Sequence, residues 1–201
     1  MISKLILIIF FCLLSIISIA ESKPNRLNKQ YCLVKSYKFK DEYLHSYKNS
    51  RLYVNIPTKK TISNFDQLKW IFEPIEWLNN SYFIRNVNNK SEYLCAKDNR
   101  NDFFKSRRPV YLKNINQPNV ITNEKCIWTL GELEKNGKYV ITNSYFNEPL
   151  FPSSSFIANR KLYTWNYLAK GISYYMGPDL DQFIWYIYCS SVSNFKYTKK
   201  Y

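Results

Sequence analysis

The sequence predicts an all-β chain made of one unit used three times. Three observations carry that expectation. Short alternating segments of aromatic and β-branched residues recur along the chain, as half-buried strands require. Trp and Tyr markers return at a near-constant interval. Clusters of Asn, Pro and Ser punctuate the segments (NIPTKKTISN, KNINQPNVITN, NEPLFPSSS), and no long helix is evident.

The first unit opens with YCLVKS at Tyr31, then EYLHSY at Tyr43, LYV around Tyr53 and WIF at Trp70. A short helical turn is expected in NFDQLKW, with Asn64 as its cap. The second unit repeats the order with YFIRNV at Tyr82, EYLCAK at Tyr93, VYL around Tyr111 and WTL at Trp128. The third has YVITNS at Tyr139, a weaker EPLFPS at Pro149, KLYTW around Tyr163 and WYI at Trp185. Trp70 to Trp128 is 58 residues, and Trp128 to Trp185 is 57. Tyr82 to Tyr139 is also 57, whereas Tyr31 to Tyr82 is 51, which implies a shorter loop in the first unit.

The ends read differently from the middle. Residues 1–20 have the form of a secretory signal: Lys4, an apolar run from Leu5 to Ile19, and the small residues Ser18 and Ala20 before the cut. The run is shorter than the roughly 20 residues needed to span a bilayer. Residues 21–30 are an N-terminal lead, and 191–201 a basic C-terminal tail. Cleavage removes Cys12 and leaves Cys32, Cys95, Cys126 and Cys189. Four cysteines in an oxidising compartment imply two disulfides, with three pairings open. Without a CxxC pair, and with His45 as the one His, a Cys/His metal site is not expected, nor is a cofactor. The formal charge of +14 favours anionic partners or solubility.

Three copies of about four strands resemble a β-trefoil, with six strands closing a barrel, three hairpins capping it, and pseudo-threefold symmetry. The resemblance spans 31–190, with repeats about 31–77, 78–134 and 135–190. It implies that Trp70, Trp128 and Trp185 share core layers with Leu33, Ile84 and Ile141. A trefoil places its first and last strands side by side, which implies the pairs Cys32–Cys189 and Cys95–Cys126.

The fourth-strand Trp looks like that of ricin-type lectins. Their Q-x-W signature is approached by Gln67-Leu-Lys-Trp70 and Gln182-Phe-Ile-Trp185, while Cys126-Ile-Trp128 has no Gln. The likeness implies a sugar pocket at Asp41 with Tyr43 or Tyr47 as the aromatic platform; Glu92, Tyr93 and Glu148 are the counterparts in the other copies. The chain is also similar to insect salivary cysteine- and tryptophan-rich trefoils, which implies capture of a host protein or small ligand. Trefoil growth factors that hold sulfated polysaccharide suggest an anionic-ligand patch at Lys105, Arg107, Arg108, Arg160 and Lys161, where converging cations suit sulfate.

Catalysis is not expected. The motifs HExxH and GxSxG and a phosphate-binding Gly loop are missing, and a His-based triad would depend on His45, which strand alternation allows to face solvent. The carboxylates Asp41, Glu42, Asp179 and Asp181 carry no pattern that would mark a glycosidase. No nucleic-acid motif accompanies RRPVYL. Sequons at Asn79 and Asn89 are candidate glycosylation sites. The expectation is a secreted, monomeric, non-enzymatic binding protein for glycans or glycosaminoglycans. The alternative is a salivary-type protein that binds a host or extracellular protein or a small ligand.

Overall fold

The fold, a computed structural model, is described for residues 30–47, 51–57, 65–88, 90–100, 106–134, 137–154, 160–166 and 179–190. The signal segment, all of the lead but Gln30, the basic tail, Lys105 and Asn89 lie outside them. Twelve strands occupy the described residues: β1 (Tyr31–Ser36), β2 (Tyr43–Tyr47), β3 (Arg51–Asn55), β4 (Lys69–Pro74), β5 (Ser81–Asn86), β6 (Glu92–Ala96), β7 (Arg107–Asn114), β8 (Ile127–Glu134), β9 (Lys138–Asn143), β10 (Glu148–Pro152), β11 (Leu162–Trp165) and β12 (Ile184–Ser190). Each expected segment is a strand.

Antiparallel pairs run β1–β4, β4–β5, β5–β8, β8–β9, β9–β12 and β12–β1, so six strands close on themselves. Closure removes the exposed edges that a short sheet would otherwise present. Three hairpins, β2–β3, β6–β7 and β10–β11, spring from this barrel. They meet one another where β11 pairs with β7 and Arg160 bridges to Val54.

The Trp markers set the register. Trp70 stands opposite Cys32 and Asn86, Trp128 opposite Tyr82 and Asn143, and Trp185 opposite Tyr139 and Ser36. All three are fully buried. Their indole N–H groups donate to the carbonyls of Leu44, Leu94 and Leu150, at 3.0, 2.8 and 3.1 Å. A buried Trp needs such an acceptor, and the start of each hairpin provides it.

One expected core position shifts. Leu33 does not join Ile84 and Ile141; Val34 does, together with Cys32 and Ser36 on the inward face of β1. The strand pairs Ser36 with Trp185, as Asn143 pairs with Trp128, so β1 aligns on Cys32 and not on Tyr31. Side chains alternate with a period of two, so a one-residue offset moves Leu33 to the opposite face.

Short 3-10 turns precede β4, β8 and β12, at Phe65–Leu68, Glu124–Cys126 and Leu180–Phe183. The first is the helical turn expected in NFDQLKW; Asn64 lies outside the described residues. Each turn packs against β2, β6 or β10, making a small satellite site beneath each hairpin. In the second, Cys95 is bonded to Cys126, inside a cluster with Ile75, Phe83, Tyr93, Ile115 and Ile127. In the third, Phe151 meets Phe183 with ring centroids 5.6 Å apart. In the first, the equivalent of Cys95 and Phe151 is His45. Alternation leaves its facing open; it is fully buried beside Tyr47 and Tyr53. The other disulfide, Cys32–Cys189, joins directly opposed residues of β1 and β12, so both pairings are those a trefoil implies.

Candidate functional site

Between the β4–β5 turn and the β7–β8 loop lies a cleft of about 650 Å³. Its floor is Ile75, Phe83 and Val120, part of the satellite cluster around Cys95–Cys126. Its rim carries two large apolar side chains in water, Trp77 at 72% exposure and Ile121 at 84%. Pro74, Pro118, Asn119, Glu73 and Glu76 complete the lining.

Local chemistry builds both walls. In IEWLNNS, Ile75 N–H donates to Ser81 O at 2.9 Å and Leu78 N–H to Ile75 O at 3.0 Å, which closes a tight turn. Asn80 takes a left-handed conformation, φ 53°, that Asn tolerates better than most residues. Trp77 sits at the apex of this turn. Opposite, Asn119 Oδ1 accepts from Ile121 N–H at 2.8 Å, and Asn119 O accepts from Asn123 N–H at 2.9 Å. These two bonds hold Ile121 at the rim.

Glu73 is held in place. Its carboxylate accepts from Arg85 Nε at 2.7 Å and from Tyr93 Oη at 3.1 Å. Burial, followed by the nearby Glu73 charge, pushes the Tyr93 hydroxyl up to about 12, so it stays a donor at neutral pH. Glu76 is exposed and has no ion pair among the described residues.

The residues singled out from the sequence are distributed elsewhere. Asp41 is on the β1–β2 turn with φ 63°, its carboxylate bonded to Lys35 Nζ at 3.0 Å. Tyr43 begins β2 and Tyr47 ends it, four residues on, which is about 13 Å along a strand. Tyr47 packs on His45 and Tyr53. Lys35 Nζ also stands 5.8 Å from the centre of the Tyr43 ring, so Asp41, Lys35 and Tyr43 share one side of the turn, whereas Tyr47 lies at the far end of the strand. Because β2 runs away from the turn that holds Asp41, Tyr43 and not Tyr47 is the aromatic residue beside it.

Of the anionic-ligand patch, Arg108 and Arg160 are engaged within the fold. Arg108 is buried, donating to Glu148 from Nε at 3.1 Å, with its guanidinium 3.5 Å from the centre of the Phe146 ring. Arg160 donates to Glu42 at 2.8 Å and lies 3.7 Å from the Phe39 ring centre. Their forks are occupied by carboxylates of the neighbouring unit. Arg107 is half-buried near Tyr163, and Lys161 is exposed beside a smaller hollow of about 240 Å³ among Leu52, Val110 and Leu162. Of the two sequons, Asn79 is exposed in the Trp77 turn, and Asn89 lies outside the described residues. Trp77 was not singled out from the sequence; its position in a turn, outside the alternating strands, was the available signal.

No family model matches the chain, and no curated protein matches it. Solved structures do. The designed threefold-symmetric protein ThreeFoil aligns with TM-score 0.54 and 12% identity over 78% of this chain and 96% of that one. A Polyporus squamosus lectin, solved with a human-type influenza-binding epitope, aligns with TM-score 0.54 and 12% identity over 80% of this chain and 49% of the lectin. A Culex salivary protein of the Cysteine and Tryptophan-Rich (CWRC) family aligns with TM-score 0.51 and 16% identity, over 79% of this chain and 92% of that one. At these identities the likeness is one of fold: the chain is a β-trefoil-like all-β protein.

Proposed function

We propose that the chain is a secreted, non-catalytic glycan-binding protein whose site is the Trp77 cleft. The observation that carries this is an indole 72% exposed at the rim of an apolar-floored cleft with carboxylates and an amide beside it. Sugars have apolar ring faces and polar edges. A flat exposed aromatic takes the first, and Glu76, Glu73 and Asn119 take the second. A lectin among the structural neighbours supports the reading. Two disulfides agree with an extracellular setting. The three equivalent Trp bonds support a pseudo-threefold chain of repeats 31–77, 78–134 and 135–190. Glycosaminoglycan capture is the weaker form, because Arg108 and Arg160 point inward.

A glycan array with the wild-type chain and Trp77→Ala tests this. Binding by the first and its loss in the second is expected; an array signal that survives Trp77→Ala would remove the cleft from the reading. A second reading, capture of a host protein, is favoured by Ile121. A sugar platform needs one ring, whereas Trp77 and Ile121 together make an apolar pair of the kind found at interface centres. Loss of protein pull-down on Ile121→Asp, with no array signal at all, would select it.

A further inference from the structure

Resting on the glycan reading of the Trp77 cleft, we infer that its preferred ligand is a sugar bearing a protonated amine, a hexosamine unit, and that sulfated and carboxylated sugars are turned away. The argument is the placement of charge. The chain carries a formal +14, yet the ionisable side chains lining this cleft are Glu73 and Glu76. Among the described residues, no Lys or Arg is in the lining. Glu73 is neutralised by Arg85 and bonded by Tyr93. Glu76 has no ion pair among the described residues and directly precedes Trp77 in the same turn.

A ring stacked on the Trp77 indole would present its edge substituent to that carboxylate. An ammonium there gains an ion pair with Glu76 and an attraction to the indole face. A sulfate or carboxylate at the same place meets like charge beside an apolar wall, where screening is weaker than in open water. The neutral pair Glu73–Arg85 adds no opposing field. The basic surface elsewhere draws anionic glycans to the molecule as a whole, so the cleft and the bulk charge discriminate in opposite directions.

The test uses the full mature chain and three probes of equal length: a chitosan oligosaccharide with free amines, its fully N-acetylated counterpart, and a heparin oligosaccharide. Titration calorimetry at a pH that protonates the amine is run on wild type, Trp77→Ala and Glu76→Gln. Both positions are exposed, and unchanged unfolding midpoints check that the variants are folded. The expected result is tightest binding of the amine probe. Glu76→Gln should weaken it about fivefold, the effect of one surface ion pair, while the acetylated probe changes less than about twofold. Trp77→Ala should abolish both. If the acetylated probe binds through Trp77 as tightly as the amine probe, the inference fails and the glycan reading stands. Heparin binding that disappears with Trp77→Ala overturns the inference in the same way. If no probe responds to Trp77→Ala, the glycan reading itself fails.

Discussion

Arg108 Nε donates to Glu148 at 3.1 Å, and the two side chains are 6% and 3% exposed. Arg100 and Thr164 also donate to this carboxylate. Removing one partner strands a charge in the interior, so Glu148→Ala should cost about 3–5 kcal/mol in denaturant unfolding. Glu42→Ala, where the pair with Arg160 is 15% exposed on each side, should cost less. Joining Arg108→Met to Glu148→Leu should recover much of the loss. A double variant no better than the single would contradict the stranded-charge account.

His45 should give the fold an acid-sensitive limb. Burial lowers its pKa from 6.5 to about 4, and neither ring nitrogen has a hydrogen-bond partner among the described residues. The unfolded chain therefore takes up the proton first. Stability is whole above pH 6.5, falls as pH drops below it, and stops falling on this account near 4. The full loss is on the order of 3 kcal/mol. His45→Phe, which copies Phe151, should flatten that limb when unfolding is followed across the range. An unchanged pH profile in His45→Phe would assign the limb to other groups.

The two disulfides should differ in what they control. The chain-entropy model gives about 5 kcal/mol for the 157-residue separation of Cys32–Cys189 and about 4 for the 31-residue separation of Cys95–Cys126. Cys95 and Cys126 pack with Ile75 and Phe83, the floor of the Trp77 cleft. Double Ala replacement of that pair should therefore weaken ligand binding beyond its effect on stability. Replacing Cys32 and Cys189 should lower the unfolding midpoint and leave affinity near wild type at temperatures where the fold persists.

Each core Trp should be irreplaceable by Phe at a similar level. Trp128→Phe leaves the Leu94 carbonyl without its indole donor and opens a small void. A loss of about 2–3 kcal/mol is expected, and similar values for Trp70→Phe and Trp185→Phe. Trp77→Phe, at the surface, should stay within about 0.5 kcal/mol of wild type. Thermal unfolding of the four variants compares them directly.

The strands were legible because aromatic alternation and Trp spacing are sequence properties. The β1 offset was not. Tyr31 imitates Tyr82 and Tyr139, whereas the inward residue is Cys32, whose role depends on a partner 157 positions away. The engagement of Arg108 and Arg160 was hidden for a related reason. A run such as SRRP shows its cations but not the carboxylates that consume them, and Glu148 lies 40 residues from Arg108, Glu42 118 from Arg160. The exposure of Trp77 was not legible, because exposure of a turn residue depends on what packs over it. Nor does the sequence show that the carboxylate of Asp41, which the lectin likeness implies, is bonded to Lys35.

Beneath the three hairpins, matching slots hold an imidazole, a covalent sulfur bridge and a pair of benzene rings. A slot that accepts such different fillings asks for volume and little else. The fillings are thus interchangeable where their volumes match. Phe151 could be copied into position 45 without redrawing the barrel, whereas the slot of Cys95 and Cys126 is smaller and would be overpacked by two benzene rings. What would change is the agent that loosens each satellite site: acid for the one around His45, reductant for the one around Cys95–Cys126, and neither for the one around Phe151 and Phe183. An environmental response can then be moved around this scaffold by exchanging side chains of matching volume.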